Sequence, residues 1–294
     1  MNAGLTIWVG SSTPGRPTEW FEWEAMRVSQ NTMLRHWPTH SLLGMPIGAL
    51  TMQEVLSVVD DAIEHREQLL IGVVNAAKIV NMRRDEQLDR AVRSADLILA
   101  DGMAVVWAGR LLRRPLPERV PGIDLMTRML QRSHERRYRV FLLGATEAVL
   151  ATVVQRIAHD YPNALLVGQH DGYFSSDEES TIAASIAAAK PDILFAAMSS
   201  PKKECFLARW STEMDVRVCH GVGGAFDVLA GIVHRAPQRW QRLGLEWLYR
   251  VKQEPRRLWR RYLVTNSLFT YLVLRELVLQ LRPKRQDLPF GAEP

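Results

Sequence analysis

Short runs of apolar residues with no polar alternation recur along the middle of the chain, and longer stretches with helical apolar spacing separate them. Such runs are typical of strands in a parallel sheet that is covered on both faces. The pattern therefore predicts an α/β fold, with a doubly wound, mostly parallel sheet and helices on both faces. The predicted strands are 69–74, 97–99, 140–143, 165–167, 193–197 and 216–219.

The helical stretches between these strands have recognisable ends. Thr51 is a typical N-cap for a first helix that runs to about residue 65. Asp124 is in a position to cap a later helix, 124–136. We predict the other helices at 76–82, 85–94, 103–112, 147–161, 177–189 and 202–210.

Four segments differ in pattern and divide the chain. Residues 1–41 are rich in Trp, Ser, Thr and Pro, and we predict a poorly ordered N-terminal extension there. Residues 42–234 form the predicted α/β core. Residues 235–285 are helical, basic and aromatic, and are predicted to be a membrane-associating appendage, with 286–294 as a tail. The first residues show no secretory signal, so we expect a cytoplasmic protein.

Charge is concentrated in the appendage. Residues 235–285 contain 13 Lys/Arg and 3 Asp/Glu, a net charge of +10, whereas the rest of the chain has 24 basic and 29 acidic residues, a net charge of −5. Such a block indicates an anionic partner: a lipid surface, phosphates or nucleic acid. The apolar stretch 263–281 includes Arg275 and Glu276, which favours a helix on the membrane surface over one that spans it.

Ligands of doubly wound sheets bind beyond the carboxyl ends of the strands, and polar residues at those ends are the candidates for chemistry. Asp101 follows a predicted strand and is either a general base or a helix cap. Asn75 follows another strand and could bind a sugar hydroxyl, a diphosphate or only a helix end. Gly102 permits close approach of a ligand or simply forms a turn.

Further candidates for binding phosphates lie in three other segments. The loop GVGGAFD (221–227) offers backbone amides for a diphosphate, although it matches neither the dinucleotide fingerprint nor a P-loop. Lys203 stands in the first turn of a helix, where a cation opposes the helix dipole and suggests a nearby anion. Arg119 precedes Asp124 in a loop and could contact a phosphate.

These segments together resemble the WecG/TagA/CpsF glycosyltransferases, also called glycosyltransferase family 26. The resemblance covers about residues 42–268, and its specificity comes from the order and spacing of the motifs. The matching stretches are NA (75–76), ADG (100–102), PERVPGID (117–124), GYF (172–174), PKKE (201–204), GVGGAFD (221–227), RLGLEWLYR (242–250) and QEPRR (253–257).

The resemblance implies an inverting transferase that moves N-acetylmannosamine or a related hexose such as glucose from a UDP-sugar to a polyprenyl-diphosphate-linked sugar. It implies that Asp101 is the catalytic base. It implies substrate-binding roles for Asn75, Arg250, Arg257 and Arg260. With the candidates from the strand ends and loops, the predicted substrate-binding residues are Asn75, Gly102, Arg119, Asp124, Lys203, Gly221, Gly223, Gly224, Asp227, Arg250, Arg257 and Arg260. The three appendage arginines are expected to meet diphosphates. No metal or other cofactor is expected, and homo-oligomer formation is left open.

Two departures from the family pattern concern the sugar pocket. Val73 replaces a threonine that often precedes the asparagine, and Lys203 replaces the glutamine of P-K-Q-E. One alternative reading is a nucleic-acid- or membrane-binding protein without transferase activity. We expect no nucleic-acid partner, because the rest of the chain is acidic. A nucleotide-dependent oxidoreductase is a further alternative, which the absent fingerprint disfavours.

Overall fold

The computed structural model describes residues 37–281, and the chain enters the fold through a β-hairpin. Strand β1 (Thr39–Leu42) pairs antiparallel with β2 (Met45–Gly48). Leu43 and Gly44 form the turn with φ values of 52° and 76°, the positive values that suit a two-residue hairpin turn. Residues 39–41, which were predicted to belong to a poorly ordered extension, therefore form part of a strand. Residues 1–36 and 282–294, with the predicted tail, lie outside the described residues.

Six further strands form one parallel sheet, which confirms the predicted fold class. They are β3 (Leu69–Val74), β4 (Leu97–Ala100), β5 (Arg139–Gly144), β6 (Leu165–His170), β7 (Ile193–Ala197) and β8 (Val218–Gly221). Their order across the sheet is β4-β3-β8-β7-β5-β6, and each neighbouring pair is parallel. The ends of β4, β3 and β8 thus lie side by side at one region of the carboxyl edge.

The helices begin and end close to the predicted positions. The predicted cap at Thr51 is confirmed, since its side chain and that of Glu54 form a capping box. The prediction that Asp124 caps its helix is wrong: the helix begins at Gly122, which places Asp124 in its first turn. The helices are α1 (Met52–Glu64), α2 (Ala76–Met82), α3 (Glu86–Arg93), α4 (Met103–Leu111), α5 (Gly122–Arg136), α6 (Glu147–Asp160), α7 (Glu179–Ala189), α8 (Lys202–Trp210), α9 (Ala225–Leu229), α10 (Gln238–Arg242), α11 (Glu246–Gln253) and α12 (Pro255–Leu281).

Both faces of the sheet are buried, which explains the non-alternating strands. Helices α1, α5 and α6 cover one face, where Phe195 is fully buried. Helices α7 and α8 cover much of the other, around Phe206. A third cluster joins the hairpin and α2–α4 to the end of the sheet at β4. These layers hold the strand ends, and the residues that come directly after them, in a fixed arrangement.

The basic appendage consists of α10, α11 and α12, and it packs onto the core. Pro255 begins α12, as expected from its fixed φ and missing N–H. Phe269 and Val273 of α12 are buried in the cluster that contains α2. Glu276 pairs with Arg114 of the core at 2.6 Å. The predicted boundary near residue 234 therefore marks a change of composition, whereas the hydrophobic core continues into the appendage.

Candidate active site

Asp101 lies at the carboxyl edge of the sheet, directly after β4. Its backbone N–H donates to Val74 O at 2.9 Å, which extends the pairing of β3 and β4 by one residue. Its Oδ1 accepts a hydrogen bond from the N–H of Gly122 at 3.1 Å, and its Oδ2 accepts one from Asn75 Nδ2 at 3.3 Å. Both oxygens are thus oriented by neutral donors at a partly exposed position, as a general base requires.

Asn75 has two functions at the end of β3. Its Oδ1 accepts from the N–H of Lys78 at 3.0 Å and so caps α2, while its Nδ2 bonds Asp101. The cap predicted as one alternative for Asn75 is confirmed, and its contact with a sugar hydroxyl or a diphosphate stays a prediction. Gly102 packs closely beside Asn75, and a Cβ on Gly102 would lie 3.3 Å from Asn75 Cβ, a tight contact.

His220 of β8 supports this arrangement from beneath. It is completely buried, and burial lowers its pKa to about 4, so the ring is neutral at physiological pH. Its Nε2 is 3.1 Å from Gly122 O and donates to it, since a carbonyl can only accept. The peptide of Gly122 therefore connects His220 to Asp101. The only local indication of this role was the place of His220 directly before the glycine-rich loop.

A buried group of three charges lies beside the same strand ends. Glu204 Oε1 accepts from Lys78 Nζ at 2.8 Å and from Lys203 Nζ at 2.6 Å. Burial raises the pKa of Glu204, but the two ammonium groups outweigh it and the pKa lies below its ordinary value. Burial, assisted by the charge of Lys78, lowers the pKa of Lys203 to about 8. The group carries a net positive charge next to the candidate base.

The glycine-rich loop begins over this group. A Cβ on Gly221 would lie 3.3 Å from Lys203 Cδ and Cε, so this glycine lets the lysine stem pass beneath the loop. Gly223 has a φ of 55° with open space around its Cβ position, and a Cβ on Gly224 would lie 3.7 Å from Asp227 Oδ2. The structure thus brings Lys203 against Gly221 at the start of the loop, and the binding of a diphosphate there stays a prediction.

Arg119 and Asp124 belong to a network that joins core and appendage. Asp124 forms two hydrogen bonds with the guanidinium of Arg235. Glu246 of α11 accepts from Arg119 Nη1 at 3.1 Å and from Arg235 Nε at 3.4 Å. We call these four residues the latch. The structure assigns Arg119 and Asp124 these partners, and their predicted contact with substrate stays a prediction.

The sequence matches a family model, described as the glycosyl transferase WecG/TagA/CpsF family, over residues 40–283. The chain belongs to this family. It is therefore a glycosyltransferase of the hexosyltransferase type, and the alternatives of a non-catalytic binding protein and an oxidoreductase are set aside.

Two relatives of the transferase carry the name N-acetylglucosaminyldiphosphoundecaprenol N-acetyl-beta-D-mannosaminyltransferase. One, from Bacillus spizizenii, is 36% identical over 193 residues, which are 66% of this chain and 74% of the relative. Another, from Bacillus subtilis strain 168, is 35% identical over 201 residues, 68% of this chain and 77% of the relative. Both are similar to this chain over a length comparable with that of its α/β core.

The appendage arginines of the transferase lie apart from this cluster of contacts. Arg250 and Arg260 are exposed on α11 and α12, and Arg260 lies over the ring of Trp259 at 5.7 Å. The side chain of Arg257 lies outside the described residues. Within residues 37–281, no three His, Cys, Asp or Glu side chains are grouped so as to hold a metal ion.

Besides His220, four residues around the site were missed by the sequence-based prediction: Lys78, Glu204, Arg235 and Glu246. Glu204 and Glu246 lie inside quoted family motifs, which was a usable signal for them. Arg235 and Lys78 had no such signal, because their partners are 111 and 126 residues away along the chain.

Proposed function

We propose that this transferase moves one hexose from a UDP-sugar to a polyprenyl-diphosphate-linked sugar, with inversion at the anomeric carbon. The observation that carries the proposal is the Asp101 carboxylate, fixed by Asn75 and Gly122 beside a glycine-rich loop. The names of the two relatives support a sugar acceptor linked through a diphosphate to a prenyl lipid.

The proposed step is a single displacement. The acceptor hydroxyl attacks the anomeric carbon, its proton passes to the Asp101 carboxylate, and the bond to the UDP oxygen breaks. Each Asp101 oxygen has one hydrogen-bond donor, and the remaining lone pairs are available for that proton. Both donors are neutral, so neither forms an ion pair with the carboxylate.

The leaving UDP carries the developing negative charge. We propose that the amides of 221–224 and the Lys203 ammonium stabilise it, with Asp227 and Asn75 positioning the ribose or sugar hydroxyls. Preorganised donors and cations at such a position act without reorganisation during the reaction. Arg250, Arg257 and Arg260 are proposed to approach diphosphates when substrate binds. On this proposal the transfer needs no bound metal, and activity should survive treatment with a chelator.

The donor sugar is proposed to be N-acetylmannosamine or a related hexose such as glucose. The name of the two relatives favours the former. Val73 and Lys203 depart from the family pattern next to Asn75 and Glu204, and we therefore also test glucose as a donor sugar.

We propose that the transferase works at the cytoplasmic face of the membrane, as a peripheral protein. By length and composition alone, residues Leu258–Leu281 could cross a membrane, with a mean hydropathy of 1.2. Against a span, Phe269 and Val273 are buried on the core and Glu276 is paired with Arg114. An anionic surface suits the +10 appendage.

A donor screen tests the proposal. The purified full chain is incubated with a farnesyl-diphosphate-linked N-acetylglucosamine and, separately, with UDP-N-acetylmannosamine, UDP-N-acetylglucosamine and UDP-glucose. Mass spectrometry should show an acceptor heavier by one sugar residue with one of these donors, and release of UDP. If no UDP-sugar extends the acceptor under any condition in which the protein is folded, the proposed reaction is wrong.

A further inference from the structure

A cavity of about 570 Å³ lies between the core and the start of the appendage, and its lining includes Met103 and Pro121, which adjoin Gly102 and Gly122 in the chain. Helix α4 contributes Met103, Val106 and Arg110, and α5 contributes Asp124, Thr127 and Arg128. These spacings place each set on one face of its helix, so each helix forms one wall of the cavity. The residues that line the cavity are Met52, Met103, Val106, Arg110, Pro117, Glu118, Arg119, Pro121, Asp124, Thr127, Arg128, Gln238 and Gln241.

Two arginines in this cavity differ from the others around it. Arg119 is paired with Glu246 in the latch. The side chains of Arg110 and Arg128 are exposed, and within the part of the chain that the structure describes neither has an ion pair or a hydrogen bond. Unpaired guanidinium groups that face a shared cavity are suited to an anion with several oxygens, above all a phosphate or diphosphate.

We propose that this cavity is the acceptor subsite, in which Arg110 and Arg128 bind the diphosphate that links the acceptor sugar to its lipid. This inference rests on the proposed function and names the side chains that hold its lipid-linked substrate. It assigns the acceptor diphosphate to two core helices, whereas the family resemblance directs attention to arginines of the appendage.

The spacing along the two helices fits one sugar ring. Helix α4 begins directly after Gly102, and α5 begins at Gly122, whose N–H bonds Asp101. Arg110 is seven residues into α4 and Arg128 six residues into α5, so both lie roughly 9–11 Å along their axes from the base. A sugar whose reacting hydroxyl meets Asp101 would place its anomeric diphosphate between the two guanidinium groups.

The surface that flanks Arg110 fits the rest of the acceptor. Trp107 and Leu111 of α4 are 47% and 49% exposed, and Leu243 at the end of α10 is 63% exposed. Gly244 packs on α4, since a Cβ there would lie 3.0 Å from Trp107 Cη2. The cavity, its two unpaired cations and an exposed apolar surface are thus neighbours around α4. A prenyl-diphosphate sugar combines the same three kinds of group: a sugar, an anion and a hydrocarbon.

The position also suits inversion. The glycine-rich loop and Lys203, proposed to hold the donor diphosphate, come after β8 and β7, while α4 comes after the edge strand β4. An inverting displacement needs the attacking hydroxyl and the leaving oxygen on opposite sides of the anomeric carbon. Donor and acceptor diphosphates at separate places on either side of Asp101 meet that need.

Binding measurements on the full chain test the assignment without turnover. The probes are farnesyl-diphosphate-linked N-acetylglucosamine and UDP, each titrated by calorimetry into wild type, Arg110→Gln, Arg128→Gln and the double variant. Each single change should weaken binding of the lipid probe about tenfold or more, as expected on losing a charge-assisted bond, and leave UDP affinity unchanged. Arg156→Gln on α6, another exposed arginine that does not line the cavity, is the matched control.

Kinetics give the second readout. The acceptor KM should rise in the double variant with kcat largely retained, and octyl N-acetylglucosaminide, which has no phosphate, should be used equally by wild type and variant. Any of three results would overturn the assignment. The variants bind the lipid probe as tightly as wild type does, they lose UDP affinity to the same extent, or wild type does not bind the probe. A different result would refute the proposed function: the wild type binds the probe through both arginines but transfers no sugar from any UDP-sugar.

Discussion

At the scale of single residues, the carboxylate of Asp101 owes its orientation to two hydrogen bonds from neutral groups. Asn75 Nδ2 is fixed because the other atom of its amide caps α2, and the Gly122 N–H is fixed because His220 holds the carbonyl of the same residue. The neutral state of His220, with its pKa lowered to about 4 by burial, keeps another charge away from the carboxylate. The orientation of the carboxylate therefore depends on two neutral groups that are themselves held in place.

Replacing Asp101 by Asn should remove the proton acceptor and keep the shape. We expect turnover to fall roughly 100-fold or more, as is typical for the loss of a general base, with UDP affinity within a few-fold of wild type. Single-turnover rates and calorimetry measure the two quantities. Asp85→Asn is the matched control, because Asp85 caps α3 and asparagine caps equally well. A variant at position 101 with half the wild-type rate would exclude Asp101 as the base.

Lys203 makes donor use dependent on pH. Its pKa is lowered from 10.5 to about 8 by burial and the neighbouring Lys78, so the ammonium is charged below pH 8 and becomes neutral above it. If its charge stabilises the leaving diphosphate, kcat/KM for the donor should fall as pH rises through about 8. Lys203→Gln should have a lower kcat/KM at pH 7 and no inflection near 8. The same alkaline inflection in that variant would assign the titration to another group.

Local sequence patterns predicted the residues at strand ends but carried less information about their partners. The approach of Asn75 to Asp101 is expected from the rule that parallel strands end at one edge, and both residues come directly after strands. Arg119 and Asp124 were predicted to bind substrate, which stays a prediction, and their observed partners lie at the start of the appendage. Pairing across such sequence separations depends on the packed fold and has no local signal.

At the scale of elements, the latch connects three segments that are separate in the sequence. Arg119 of the loop before α5 pairs with Glu246 of α11. Arg235, in the linker after α9, pairs with Glu246 and with Asp124 of α5. The side chains of Arg119 and Glu246 are each 17% exposed, so their ion pair is only partly screened by water. The latch thereby fixes the start of the appendage above the proposed acceptor cavity.

Glu246→Gln should loosen the appendage while the α/β core stays folded. The change leaves Arg119 without its anion and Arg235 with Asp124 alone, which costs roughly 1–3 kcal/mol of docking free energy. Trypsin should then cut faster within residues 235–257, as followed by mass spectrometry, and transfer to the lipid-linked acceptor should fall. Glu86→Gln, which alters an exposed helix pair, is the control and should behave as wild type. An unchanged rate of cleavage would mean that the latch does not hold the appendage.

The succession of strands and helices was largely predictable, because buried parallel strands and capped helices have strong local patterns. The hairpin β1–β2 was missed since its strands have four residues each, one includes Pro46, and Leu43 occupies a positive φ that its side chain does not favour. The strand before the glycine-rich loop was placed two residues early, at 216–219 instead of Val218–Gly221. Element ends are set by neighbouring strands, which one sequence does not reveal.

At the scale of the whole molecule, α12 has two apolar faces with different environments. Leu258, Phe269 and Val273 are buried against the core. The other face carries large exposed apolar side chains. They include Trp259, Leu263, Tyr271, Leu274, Val278 and Leu281. A continuous exposed apolar surface on a basic appendage is typical of an interaction site, and we have proposed that its partner is an anionic membrane.

Polar substitutions on the exposed face of α12 should separate membrane binding from catalysis. Wild type should sediment with vesicles that contain phosphatidylglycerol and be released by high salt, because the attraction of basic residues to an anionic surface is screened. Leu263→Ser together with Leu274→Ser should abolish sedimentation, yet leave transfer to a short-chain acceptor in solution intact, since both side chains point away from the core. Leu165→Ser on β6, an exposed leucine outside the appendage, is the matched control. If alkaline carbonate does not extract the wild type from membranes, α12 spans the membrane. If the variants still sediment and the wild type dimerises through this face, the surface binds a second copy of the chain.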